Sequence, residues 1–132
     1  MIRMEKQKVY LSGGFKFNWQ EKVIKKAGKQ FVFYNPREHY LNDPKQYWAW
    51  DIHYVKRCDI VFAYMDKNNP SGYGLALEVG IALGSNKTII LVDERSKHDP
   101  QFDSYFKIIR NSASVVLSTL DEAIDYLNKF VV

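Results

Sequence analysis

The chain has 132 residues, 46% hydrophobic and 26% charged, with a formal net charge of +4. That length suits one domain spanning 1–132 that buries about two-thirds of the surface its unfolded chain would expose, and the composition excludes intrinsic disorder. Cys58 is the lone cysteine, so no intramolecular disulfide can form and a reducing, cytoplasmic setting is expected.

Val9 to Ser12 reads as a buried first strand closed by Gly13-Gly14. A helix is predicted over Trp19 to Ala27, with Gly28 as its stop. Gln30 to Tyr34 is the second strand, ended by Asn35-Pro36. Asn42-Asp43-Pro44 opens a helix running from about Lys45 to Arg57, with proline at an early position. Asp59 to Met65 is the third strand, with Cys58 as a small buried hydrophobe at the junction before it. Ser71 to Leu83 is a glycine-rich helix closing at Gly84, and Thr88 to Val92 the fourth strand. Gln101 to Arg110 is helical, Ser114 to Leu117 is the fifth strand, and Thr119 with Glu122 forms a capping box for a last helix ending near Phe130.

This alternation predicts an α/β fold: a five-stranded parallel doubly wound sheet in flavodoxin-like order, with helices on both faces. The continuous apolar runs Ile60-Val61-Phe62-Ala63 and Ile89-Ile90-Leu91-Val92 suit strands covered on both sides. Ligands of such sheets bind beyond the carboxyl ends of the strands, near the switch point. The segments after strands one, three and four are therefore the places to look for chemistry. The longest apolar stretch, Tyr73 to Leu83, is too short to span a bilayer and contains Glu78. No secretory leader pattern precedes the first strand.

Lys and Arg are spread along the chain, densest at Arg3, Lys6 and Lys8. A solvated surface is one reading of this balance, and a basic pocket for an anionic substrate is another. No basic stripe points to nucleic acid.

Glu78 is the single charged residue between Asn68 and Asn86, a stretch that also holds Gly72, Gly74, Gly80 and Gly84. Helical periodicity puts Ser71, Gly74, Glu78 and Ala82 on one face and Leu75, Val79 and Leu83 on another. A carboxylate on a face of small residues is open to a bulky partner. The helix amino terminus would favour its ionised form, as a nucleophile requires. A solvent-facing glutamate with glycines used for packing accounts for the same residues. Gly13-Gly14 allows close approach of a ligand to the backbone after strand one, but no dinucleotide fingerprint or P-loop is present. Tyr10 within that strand is either core or a hydroxyl reaching a pocket. Asp51 lies mid-helix among Tyr47, Trp48 and Trp50, and is either a surface acid or a pocket one; Asp59 fits a junction cap. His39, His53 and His98 lack metal-ligand spacing, so no metal is expected. No Gly-x-Ser-x-Gly elbow supports a serine hydrolase. Asp66 follows strand three as in a receiver domain, but Ser12-Gly13-Gly14 stands where the acidic pair of a receiver would be.

Three segments, in order, resemble the nucleoside 2-deoxyribosyltransferase family. They are Val9-Tyr10-Leu11-Ser12-Gly13, Asp51 with Asp59-Ile60-Val61 eight residues later, and Asn69-Pro70-Ser71-Gly72-Tyr73-Gly74-Leu75-Ala76-Leu77-Glu78-Val79-Gly80. The resemblance implies a retaining double displacement with Glu78 as nucleophile. It further implies that Tyr10 aligns the Glu78 carboxylate and that Asp51 contacts substrate and protonates the leaving nitrogen. Gly13, Gly14, Ser71, Gly72 and Gly74 would line the pocket. No cofactor is implied. The partners are a small-molecule nucleoside or nucleotide and a free base, not nucleic acid or membrane. A neighbouring subunit of a homodimer or larger homo-oligomer would add a residue just before the last strand, where Asn111 or Ser114 stands. Gly72 occupies the place of an aspartate that many such transferases use to read the base. Ser71 resembles the phosphate-contacting serine of the related deoxynucleoside 5′-monophosphate N-glycosidases, and Asn35-Pro36-Arg37 resembles a third set of relatives. Base exchange, hydrolysis of nucleoside monophosphates and silent nucleotide binding are the functions to separate.

Overall fold

A computed structural model describes residues 5–131; Arg3 of the basic amino-terminal group lies outside them. The strands are β1 (Gln7–Gly13), β2 (Phe31–Tyr34), β3 (Ile60–Met65), β4 (Thr88–Asp93) and β5 (Val115–Leu117). The helices are α1 (Trp19–Ala27), α2 (Pro44–Arg57), α3 (Tyr73–Gly84), α4 (Pro100–Ser112) and α5 (Leu120–Leu127). The strands form one parallel sheet in the order β2-β1-β3-β4-β5, the flavodoxin-like order expected.

Right-handed crossovers assign each helix to a face. Stepping from β1 to β2 runs opposite to stepping from β3 to β4 and β5, so α1 falls on one side and α2, α3 and α4 on the other. Side chains alternate along a strand, and the core divides accordingly. Val9, Leu11, Ile60, Phe62, Ile90 and Val92 pack with Trp19 and Val23 of α1 and with Leu120, Ile124 and Leu127 of α5. Tyr10, Val61, Ala63, Ile89 and Leu91 pack with Val55 of α2, Leu75 and Val79 of α3 and Phe106 of α4. This parity aims Tyr10 and Ser12 at α3.

Local signals account for most boundaries. Asn18, Asp43, Asp99 and Thr119 cap α1, α2, α4 and α5 through their side chains. Gly28 ends α1 with φ 75°. Asp59 sits at the amino end of β3 and ties it to β1, its carboxylate accepting from the Lys8 N–H at 2.8 Å. Cys58 is buried, its thiol pushed up to about 11 by burial. No described helix is long and apolar enough to cross a membrane.

Several expectations are corrected. Strand two starts at Phe31, because Gly28–Gln30 turns as a 3₁₀ helix. The last α-helix ends at Leu127, and a 3₁₀ turn, Asn128–Phe130, carries the chain to Phe130. Helix α3 starts at Tyr73, not Ser71: Gly72 is left-handed, with φ 77°. An added Cβ there would also collide with the Met65 methyl group. Ser71 thus sits in the approach loop, off the Glu78 face. Leu83 is exposed, whereas Ala82 is buried with Leu75 and Val79. Eight residues turn a helix about 80° past register and seven only about 20° short of it.

Candidate active site

At the carboxyl ends of β1 and β3 a cavity of about 520 Å³ opens between α2, α3 and the loops after β1 and β2. That size fits a small organic ligand. Tyr10, Asp51, Glu78, Gly13, Gly14, Ser71, Gly72 and Gly74 all line it, so residues scattered over sixty-nine positions of chain converge on one space.

Glu78 is 5% exposed, on the side of α3 that meets the sheet. Both its oxygens are held. The Tyr10 hydroxyl donates to Oε2 at 2.5 Å and the Ser12 hydroxyl to Oε1 at 2.7 Å. Tyr10 and Ser12 are two apart on β1, hence on the same face. Helix-dipole stabilisation was expected to keep Glu78 ionised. In the structure burial dominates and pushes its carboxyl up to about 7, against the lowering effect of the Tyr10 and Ser12 hydroxyls and with a smaller raising effect from Asp51. Glu78 is the sixth residue of α3, beyond the first turn where the dipole is strong. Burial, followed by the charges of Glu78 and Asp51, holds the Tyr10 phenol far above its ordinary range, so Tyr10 remains a donor.

Asp51 lies on the inner face of α2 and is 8% exposed. Burial raises its carboxyl above the ordinary range, with His39 and the Tyr10 hydroxyl acting in the opposite direction. Two buried carboxyls, Asp51 and Glu78, thus face one cavity, an arrangement suited to acid–base work. Asp51 follows Tyr47 by four residues and Trp48 by three, so the three share a helix face. Tyr47 and Trp48 form an aromatic wall of the cavity. An added Cβ at Gly74 would sit 2.8 Å from the Trp48 ring. Gly74 therefore admits a tryptophan of the chain itself, where ligand access had been the expectation. Gly13 has a similar role: its added Cβ would be 2.7 Å from the Tyr64 carbonyl and 2.8 Å from the Trp19 ring.

The loops around the cavity are tied down. Arg37 Nη2 donates to the carbonyls of Phe15 and Phe17 at 2.7 and 2.8 Å, and Nε donates to Gln20 at 2.8 Å. The Arg37 guanidinium lies over the Phe15 ring, which lines the cavity. Arg95 donates to the Asn69 carbonyl at 2.5 Å, while Asn69 Oδ1 accepts from the Ser71 N–H.

Asn111 and Ser114 do not line the cavity. Asn111 is exposed on α4. Ser114 precedes β5 at the amino ends of the strands, where its hydroxyl accepts from the Ile89 N–H. No lysine or arginine lines the cavity, so the basic-pocket reading of the net charge is not met by this chain's described residues. No cluster of three or more His, Cys, Asp or Glu side chains converges to hold a metal among the described residues. Ser12 and His39 were missed. The strand period links Ser12 to Tyr10 and could have found it. His39 follows a strand at the carboxyl end of the sheet, and that position is its signal.

A family model described as nucleoside 2-deoxyribosyltransferase like matches residues 6–96. No curated protein matches the chain. Solved structures do. The chain is similar to a 2-deoxyribosyltransferase from Bacillus psychrosaccharolyticus, with 20% identity over 90% of this chain and 91% of that one and a TM-score of 0.69. It is similar to a 2-deoxyribosyltransferase from Leishmania mexicana, with 15% identity over 94% and 98% and a TM-score of 0.72. It is similar also to the CMP N-glycosidase BcmB of Clostridium botulinum, with 19% identity over 94% and 100% and a TM-score of 0.60. Likeness at these identities establishes a shared fold.

Proposed function

The chain belongs to the nucleoside 2-deoxyribosyltransferase-like family, and from that premise we propose that it transfers a 2-deoxyribosyl group between nucleobases through a covalent intermediate on Glu78. The observation that carries this reading is the Glu78 carboxylate, oriented by Tyr10 and Ser12 against the wall of a ligand-sized cavity.

The Glu78 carboxylate attacks C1′ of the sugar as the C1′–N bond breaks. The bonding pair goes to the base nitrogen, which takes a proton from the Asp51 carboxyl. In the second half, the nitrogen of an incoming base attacks C1′, the ester bond breaks and its electron pair returns to Glu78. The proton of the incoming base returns to Asp51. A carboxylate that captures an oxocarbenium-like centre divides one difficult displacement into two easier ones.

Incubation with deoxyinosine and adenine should yield deoxyadenosine and hypoxanthine, and Glu78→Ala should abolish the exchange. Undiminished exchange in that variant would overturn the nucleophile assignment.

A second reading is hydrolysis of nucleoside 5′-monophosphates. Ser71 on the cavity wall supports it, and the absence of Lys and Arg among the described residues of that wall opposes it. Release of base and sugar phosphate with no acceptor base present would establish it. We also propose a homo-oligomer. The exposed Tyr73 and Leu77 on α3 and Tyr105 and Ile108 on α4 support a covered apolar face, and Asn111 or Ser114 would then serve a neighbouring copy.

A further inference from the structure

Asp51 Oδ1 is buried without a hydrogen-bond partner. Buried polar atoms are normally paired, and an exception calls for an explanation. One candidate partner is His39 Nε2, at 3.7 Å, just outside hydrogen-bond reach. The Leu41 N–H donates to His39 Nδ1 at 2.9 Å. A nitrogen that accepts carries no proton, so the neutral ring carries its proton on Nε2, the nitrogen facing Asp51. The ring is also held in place: it stacks parallel to Tyr47 at 6.3 Å and meets Trp50 edge-on at 5.0 Å. Both side chains are about nine-tenths buried.

We propose that His39 is the positioning residue of Asp51: its Nε2–H is the donor reserved for the buried Oδ1, which leaves Oδ2 to deliver its proton to the departing base. The proposal rests on the transferase reading and deepens it. Closing the gap to Oδ1 fixes the rotation of the Asp51 carboxyl, so the acidic proton points at the substrate. His39 itself touches neither the sugar carbon nor the leaving nitrogen in this scheme.

The test compares two substrates. Deoxyinosine needs its leaving base protonated. The 7-methylpurine of 7-methyl-2′-deoxyguanosine is already cationic and leaves without a proton. His39→Phe keeps the aromatic stacking and removes the donor. It should lower exchange with deoxyinosine by roughly 10- to 100-fold and change turnover of the methylated nucleoside less than about threefold, the pattern expected when acid catalysis alone is lost. His39→Gln, which retains an amide N–H near the Nε2 position, should recover much of the deoxyinosine rate. Equal losses on both substrates, or no loss on either, would overturn the proposal. Nitrogen NMR of the histidines gives a readout independent of turnover. His39 should be in the Nε2–H form, and its Nε2 resonance should move in Asp51→Asn. A Nδ1–H ring, or a resonance indifferent to that change, would also overturn it. If the wild type turns over neither nucleoside, the transferase reading fails, and NMR decides the His39–Asp51 pairing alone.

Discussion

The Tyr10 hydroxyl donates a 2.5 Å hydrogen bond to Glu78 Oε2 across a sequence separation of 68 residues. It favours the ionised form of a carboxyl that burial would otherwise keep protonated. Tyr10→Phe should therefore raise the pKa of Glu78 further. The acidic limb of the kcat/KM profile should move to higher pH, and kcat should fall by about 10- to 100-fold, the range seen when one preorganised donor is lost. A pH–rate profile of both proteins checks this; an unmoved acidic limb would count against the role of Tyr10.

The same burial makes Glu78 a cost to stability. Its folded value of about 7 lies above the ordinary carboxylate value. The unfolded chain therefore loses this proton first as pH rises, and folded-state stability falls between about pH 4.5 and 7, remaining low above that. Glu78→Gln removes the titration. Its stability relative to wild type should be greater at pH 8 than at pH 5 by roughly 2.5 kcal/mol. Urea denaturation at the two pH values measures the difference.

Two glycines of α3 should respond in opposite ways to alanine. Gly80 has open space where a Cβ would go, so Gly80→Ala should stabilise the protein by about 1 kcal/mol and leave KM unchanged. Gly74→Ala places its methyl 2.8 Å from the Trp48 ring and must displace that wall of the cavity. Its KM should rise several-fold, with altered tryptophan fluorescence. Parallel effects of the two variants would refute the packing role of Gly74.

Arg37 holds the loop after β1 through two carbonyls and Gln20. Arg37→Ala should cost about 2 kcal/mol, in line with charge-assisted bonds to a partly buried partner. It should also raise KM through Phe15, which lines the cavity. Arg37→Lys should not restore either quantity, because an ammonium lacks the planar fork that reaches Gln20 through Nε and both carbonyls through Nη2 while stacking on a ring. Chemical denaturation and steady-state kinetics read the two effects.

Sequence alone was sufficient for the order and type of every strand and α-helix and for the parallel sheet, but not for the 3₁₀ turns between them. Gly28, Asp43-Pro44 and the Thr119–Glu122 pair are local signals, read within a few residues. It also singled out Glu78, Asp51 and Tyr10, the first because a lone charge in an apolar glycine-rich segment stands out in one dimension. Tertiary structure decided what those residues meet. The seat of α3 against the sheet and α2 brings Ser12 to Glu78 and Trp48 to Gly74, and the packing of the loop after β2 on α2 brings His39 to Asp51. It also decided the charge of Glu78: a carboxyl near a helix start reads as ionised, but its proton affinity depends on the water it loses on burial and on the donors it gains. Both are set by packing between segments far apart in the chain, which the spacing of residues along it does not encode.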